Sequence, residues 1–560
     1  MLEPALARRR STGRVPVGTI PLCAFGYPDS YSVFPNETLQ LHVSSSANSV
    51  GVRIYRLADY GVDAGGTAMW QSGPLLDLGR VPINFSMLQP HNRSGSGVED
   101  WGWPANVSVP VGDWTSGIYI AEIAAYLNGS STTPLMTNWV EFVVKNPSPQ
   151  PGTILYKFNI NTIHAYNLAL HPYVLGRNGA IAPFNNEFYE NPATAPGSPP
   201  DSTTYQITLR RPVWQFSWGD KSITYDYPFV LWLQKQGYAV DFVTDIDIEI
   251  DDDLTLLSQY PVVVFRGHDE YLGAKTYNNL IAYRNNGGNI AFLSGNSCCW
   301  RVTYGDPDPN TEIPTSFCCD KGPTPLCDIN GPDSWWVLGQ ADSPPAALDN
   351  QLIGAGTRNA GIRFEVGGPF TPADPPSPGF KVLNADHWIF ARTGLQNGNV
   401  IGVGNVSNAA GPIIECLIGY EGAGALLNPD DTPTFTDGTP PNFVVLGVAD
   451  TDPCVWACNR ALGSWWAFSR EDTDPPGGVT GRYAATMGIY SEEGSVFTAS
   501  TVSWVNILNE WDCDAGFWRS SALAPTNWQP GTDHQGHPIL GNVYLHHITR
   551  NMFDRFLRKT

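Results

Sequence analysis

The sequence predicts a multidomain fold in which a β-sandwich precedes an α/β domain, and three observations carry that prediction. The chain has 560 residues, too many for one ordinary core. From about Gly18 to Val144, apolar and polar residues alternate in short runs divided by Gly, Pro, Ser and Asn. After Asn146-Pro147-Ser148-Pro149-Gln150-Pro151-Gly152 the pattern changes to apolar strands separated by helical stretches.

The predicted division is a disordered tail at 1–17, a β-sandwich at 18–146, a linker at 147–152 and an α/β domain at 153–560. In the sandwich the clearest strands are Leu39–Ser44, Val50–Arg56, Ile118–Tyr126 and Trp139–Val144. In the second part Thr153–Phe158 is an apolar strand, and Tyr227–Gln236 is a helix stopped by Gly237. Ala239–Val243 is the next strand. Pro261–Phe265, Ala274–Asn285 and Asn289–Leu293 then form one βαβ unit, closed by Gly287-Gly288. This alternation predicts a mainly parallel sheet with right-handed crossovers. Residues 298–378 read as a Cys-rich, Pro-rich loop insertion, and strand-like pieces resume at Val400–Val403, Ile413–Leu417, Phe443–Val448 and Ser495–Ser500. Ile548, Met552, Phe553 and Phe556 share one face of a closing helix.

Composition excludes several partners. The net charge of −21 repels nucleic acid, and the one basic cluster, Arg8-Arg9-Arg10, lies in the tail. No apolar run has the length of a membrane span. Charged residues are only 15%, while Gly numbers 56 and Pro 47, which implies many ordered loops. Of 10 cysteines, Cys298-Cys299 and Cys318-Cys319 are adjacent pairs, followed by Cys327. With no Cys-x-x-Cys, disulfides across 297–327 are the expectation rather than structural zinc. Sequons at Asn36, Asn84, Asn92, Asn106, Asn128 and Asn405 point the same way, to an extracellular, secreted glycoprotein. Met1–Val15 holds no apolar signal core, so a cytoplasmic location stays open.

In a parallel sheet, ligands bind beyond the carboxyl ends of the strands. Three predicted strands end there in polar residues: Val243 leads into Thr244-Asp245, Phe265 into Gly267-His268-Asp269-Glu270-Tyr271, and Leu293 into Ser294-Gly295-Asn296. If the last two strands are neighbours, His268 and Asn296 face one cleft. A His and a carboxylate two residues apart suit either a metal or acid–base chemistry. The same loop also reads as a solvated turn in which Asp269 or Glu270 supports the next helix. Nucleophile-elbow, zincin, P-loop and dinucleotide motifs are missing.

At these residues the sequence resembles the large (beta) subunit family of N,N-dimethylformamidase. The resemblance runs through Trp232-Leu233, Gly237-Tyr238, Thr244-Asp245, Gly267-His268-Asp269-Glu270-Tyr271, Gly287-Gly288-Asn289 and Gly295-Asn296. It continues in His387-Trp388-Ile389-Phe390, Thr393-Gly394-Leu395, Gly419-Tyr420-Glu421 and Gly494-Ser495-Val496-Phe497 to Trp504, and covers roughly Thr153 to the C-terminus. It implies an α/β domain of flavodoxin or glutamine-amidotransferase type. It also implies an amidohydrolase acting on a small, formamide-like substrate through a mononuclear iron, as Fe(III), held by two tyrosines and a glutamate.

Residue by residue, Glu270 matches the glutamate ligand and Tyr166, in Ala165-Tyr166-Asn167, the first tyrosine. The second is Tyr189, with Tyr173 as the alternative, because Leu168-Ala169-Leu170-His171-Pro172-Tyr173 departs from the relatives' Gly-Gly and Ser-Leu-Tyr run. His268, Asn296 and Glu421 match the family's catalytic histidine, asparagine and second acid. The resemblance also implies a homo-oligomer, with a small partner subunit left open. The competing expectation is a secreted, non-catalytic structural or binding protein on the same scaffold.

Overall fold

The computed structural model describes residues 24–62, 68–83, 102–126, 134–167, 204–213, 225–320, 331–339, 347–360, 379–402, 417–449, 454–459, 464–469, 481–508 and 542–558, apart from a few positions within them. It is β-rich, with mixed and antiparallel sheets and few helices.

The first sheet is β1 (Ala24–Pro28), β3 (Thr38–Ser45) and β8 (Ala105–Pro110). The second orders β2 (Ser32–Val33), β10 (Met136–Val144), β9 (Gly117–Ala125), β4 (Ser49–Arg56) and β7 (Leu76–Pro82). A small ribbon, β5 (Tyr60–Val62) with β6 (Ala68–Trp70), lies apart from both. Alternate residues of the two large sheets share one core: Leu39, Leu41 and Val43 meet Val50, Val52, Ile54, Ile123 and Phe142.

Strand β9 departs from simple alternation because it is covered on both faces. Its Tyr119, Ala121 and Ile123 fill that core, while Ile118 and Ile120 join the core of the following body. The segment 147–152 therefore connects two packed bodies. Lys145 pairs with Asp247 at 2.7 Å, and Asn146 Nδ2 donates to Asp241 at 2.9 Å.

The main sheet has nine strands. β13 (Val240–Thr244), β11 (Ile154–Phe158), β14 (Val262–His268), β16 (Asn289–Gly295) and β25 (Ser495–Thr498) are mutually parallel in that spatial order. From β25 the sheet continues antiparallel through β24 (Ala485–Ser491), β21 (Val444–Ala449), β19 (Phe380–Val382) and β20 (Val400–Ile401). The sheet is thus mixed rather than mainly parallel. These later strands pair antiparallel with one another, a pattern that does not require the long crossovers of parallel pairing.

Two helices fall near their expected places, α2 (Asp226–Gln236) and α4 (Ala274–Asn285), while α1 (Ile160–Ala165) and α3 (Asp245–Glu249) were not anticipated. Gly237 ends α2 at φ 80, donating to the carbonyls of Gln234 and Leu233. The closing helix (Asn542–Phe556) buries Ile548, Met552, Phe553 and Phe556 as predicted, and Phe553 packs on Phe229, Trp232 and Tyr238. Among the described residues no helix is long and apolar enough to cross a membrane.

The described residues of the predicted Cys-rich loop form regular elements. β17 (Trp300–Pro307) and β18 (Pro314–Asp320) form a hairpin inside a four-stranded sheet ordered β12 (Thr204–Thr208), β18, β17 and β15 (Tyr271–Gly273). Short helices α5 (Trp335–Gly339), α6 (Leu348–Ile353) and α7 (Thr357–Ala360) follow. Among the prolines of this segment, Pro307 and Pro314 sit opposite each other next to the hairpin turn, at strand ends, where strands tolerate them. A second hairpin pairs β22 (Cys454–Asn459) with β23 (Ser464–Ser469).

The expected disulfide network is not supported at Cys298 or Cys318, both of which carry free thiols. Cys318 lies within β18 and donates to the Thr303 carbonyl at 3.5 Å. Of the sequons, Asn106 spends its amide on the Val43 backbone, at 2.7 and 2.9 Å, so that nitrogen is committed to the sandwich.

Candidate active site

The site is built at the carboxyl end of β14. Its first residues, Val262–Phe265, are apolar and fully buried, and the strand runs three residues further than its apolar run, through Arg266 and Gly267 to His268. Arg266 is also fully buried and can extend the strand because Asp226, on α2, receives its guanidinium, with the Tyr156 hydroxyl donating to the same carboxylate at 2.6 Å. Gly267 has φ 56, and a Cβ there would lie 2.4 Å from the Tyr225 ring, so only glycine fits.

Side chains alternate along this segment and sort into two clusters. Asp269 turns towards Lys157, which stands alone among apolar residues of β11 and is 0% exposed. Lys157 also pairs with Asp245, at the start of α3, and lies 2.9 Å from Asp269. Burial alone would depress the Lys157 ammonium, but Asp245 and Asp269 outweigh it and hold its pKa above the ordinary value. Burial raises the Asp269 carboxyl, opposed by Lys157.

His268 and Glu270 form the other cluster. In the parallel register His268 lies opposite Gly295, so the next residue, Asn296, stands beside it, as the adjacency of the two strands predicted. Asn296 takes φ 48, and its Nδ2 is 3.3 Å from His268 Nε2. The same ring nitrogen is 2.7 Å from Glu421 Oε2 and 3.3 Å from Glu270 Oε2. The Glu421 oxygen touches the ring without an aligned hydrogen bond. Glu270 is 2% exposed and His268 only 1%.

Glu421 comes from far along the chain, and Gly295 explains how it arrives. A Cβ on Gly295 would meet the Glu421 carbonyl at 2.5 Å and the Val502 nitrogen at 2.7 Å. The bare glycine lets the segment from Glu421 lie between the end of β16 and residues 500–502. There Asn296 N donates to Gly422 O at 3.3 Å, and Val502 N to Glu421 O at 3.2 Å.

The alternative reading of Asp269 and Glu270 as support for the next helix changes. Helix α4 is capped by Glu249, whose carboxylate accepts from the Thr276 backbone and hydroxyl, both at 2.7 Å. Neither Asp269 nor Glu270 is needed for that, which removes the structural explanation offered for them. Cys298, the nearest cysteine to a strand end, is fully buried, and burial pushes its thiol well above the usual range.

Sequence reasoning missed four supporting residues. Lys157 was marked by a lone charge in an apolar strand. Thr162 accepts the Glu270 N–H at 3.1 Å and so ties α1 to the site, Glu249 caps α4, and Thr357 donates to Asn296 Oδ1 at 2.7 Å. Nothing local in the sequence distinguishes Thr162 or Thr357.

Tyr166, Tyr173 and Tyr189 lie outside the described residues. Glu270 is thus the one member of the implied iron-ligand set that can be placed. Its buried carboxylate, with Glu421 converging on the same imidazole, belongs to the oxygen-rich donor chemistry that hard cations take, and so fits such an ion. Among the described residues, no three His, Cys, Asp or Glu side chains are arranged as a metal-ligand set by themselves.

The family model described as N,N-dimethylformamidase beta subunit-like, C-terminal, matches residues 51–515. No curated protein matches the chain. Among solved structures, a family 123 glycoside hydrolase from Clostridium perfringens is 9% identical over 52% of this chain and 74% of its own, with a TM-score of 0.11. That likeness is too slight to bear on fold or activity.

Proposed function

The chain belongs to the N,N-dimethylformamidase beta subunit-like family, and from that premise we propose that it is a hydrolase cleaving the C–N bond of a small, formamide-like amide. The observation that carries the reading is the convergence of Glu421, Glu270 and Asn296 on one imidazole nitrogen, inside a buried strand end. We read the parallel half of the sheet as flavodoxin-like, its strands running 2-1-3-4-5 in order of appearance. The order reverses between β11 and β14, where such folds bind ligands, and His268 ends β14.

In this reading His268 and Glu421 share the proton work. One removes a proton from the attacking water, and the other delivers one to the leaving amine. Asn296 directs an N–H towards the substrate carbonyl oxygen and stabilises the charge that develops there. Glu270, with Tyr166 and Tyr189 (Tyr173 as the alternative), would hold Fe(III), which supplies Lewis acidity at the carbonyl and acidifies water. The burial of Glu270, whose backbone N–H is tied to α1 through the Thr162 hydroxyl four residues before Tyr166, supports that ligand set. As a beta subunit-like chain, it is read as working in an assembly, with copies of itself or with a small partner subunit.

The test combines metal analysis, the visible spectrum and formamide hydrolysis of protein purified without chelators. Iron with visible tyrosinate absorption and amide turnover is expected. Glu270→Ala should lose iron and colour, whereas His268→Ala should keep iron and lose about 10²–10⁴ of the rate. A colourless, iron-free and inactive wild type would sink the reading in favour of a non-catalytic scaffold. Full iron in Glu270→Ala would remove that residue from the ligand set.

A further inference from the structure

Resting on the reading above, we infer that Thr357 is a positioning residue that makes Asn296 a hydrogen-bond donor to the substrate. The Thr357 hydroxyl donates to Asn296 Oδ1 at 2.7 Å, which occupies the acceptor end of the amide. The opposite end, Nδ2, is left beside His268 Nε2 at 3.3 Å and carries two N–H groups. An amide held this way offers N–H on the side of His268. With its acceptor turned outward instead, Asn296 would face a substrate carbonyl with a like lone pair.

Thr357 is itself held rigidly. It is 4% exposed and opens α7. Its backbone N–H donates to the buried Asp349 carboxylate on α6. The preceding residue, Gly356, exchanges two 2.8 Å backbone hydrogen bonds with Gly424, three residues beyond Glu421. A Cβ on Gly356 would lie 2.4 Å from Asp349 Oδ2 and 2.1 Å from Asn350 Oδ1, so glycine permits this close approach. The hydroxyl that orients Asn296 and the carboxylate that approaches His268 are thus tied to one backbone bridge. The specificity that follows is for substrates with a strong carbonyl acceptor.

The experiment measures formamide hydrolysis by the full chain with Thr357→Val, Thr357→Ser, Asn296→Ala and Thr357→Val/Asn296→Ala. Thr357→Val should lower kcat about ten- to thirtyfold with KM within about twofold, the scale of one lost charge-orienting hydrogen bond. Thr357→Ser should restore most of it. In the Asn296→Ala background, Thr357→Val should cost no further activity, because its effect passes through that amide. Normal kcat in Thr357→Val, no rescue by serine, or an undiminished further loss in the double variant would overturn the inference. A wild type without amide hydrolysis would instead overturn the functional reading, and this inference with it.

Discussion

Two polar clusters stand within a few residues of each other at the end of β14, and they differ in how their charges are matched. Lys157, Asp245 and Asp269 form a closed ion group, sealed between β11, α3 and β14. His268, Glu270, Glu421 and Asn296 gather several groups on one ring nitrogen. Strand alternation assigns consecutive residues to opposite clusters, Asp269 to one and its two neighbours to the other. The difference teaches that a run of polar residues after a buried strand has two duties. One group anchors the backbone, and the other, in the proposed reading, is presented for chemistry.

The largest expected effect separates these duties. Lys157→Met leaves two buried carboxylates facing each other and should cost on the order of 3–5 kcal/mol, read as a lower denaturant midpoint. Glu421→Gln should change stability by less than about 1 kcal/mol while removing most amide turnover. If Lys157→Met unfolds like the wild type, the anchoring duty is wrong. If Glu421→Gln turns over normally, the presenting duty is.

A smaller effect falls on the hinge between the clusters. Gly267→Ala must accept φ 56 and a contact of 2.4 Å with the Tyr225 ring. It should cost about 1–3 kcal/mol and weaken activity by displacing His268. Unaltered stability and kcat together would show that the strand end tolerates a side chain there.

A pH-dependent effect concerns the support behind Asn296. Burial raises the Asp349 carboxyl from 3.8 to about 7. Below pH ~4 both folded and unfolded chains carry this proton. As pH rises from there towards 7, the unfolded chain ionises while the folded one does not. Stability is therefore present at the acid end and is lost across that window, then stays level. Asp349→Asn should flatten this decline in unfolding curves taken between pH 4 and 8. A decline as steep as that of the wild type would mean that Asp349 is not the group responsible.

Much of the framework was legible. The helix at Ala274–Asn285 has its predicted bounds, and Gly237 ends α2 in the left-handed conformation that glycine alone adopts cheaply. The closing helix buries its predicted face, because a 3.6-residue period is visible in any one segment. His268 and Asn296 were paired correctly because a short βαβ unit leaves little choice of neighbour. The antiparallel continuation of the sheet was not legible, since long-range strand order leaves no local mark. Nor was the hairpin within the Cys-rich segment, where proline at strand ends reads like proline in loops.

By itself the sequence determined local things: apolar periods, the turn glycines, the polar residues after β14, and the family pattern joining them to Asn296 and Glu421. Only the tertiary structure decided which residues share a nitrogen and which share an ammonium. Glu421 reaches His268 because Gly295 has no side chain, and Thr357 reaches Asn296 because Gly356 has none. Such approaches depend on two distant backbones meeting, and one stretch of chain carries no record of the other. Gly267-His268-Asp269-Glu270 names the groups, while packing divides them into an anchor and a site.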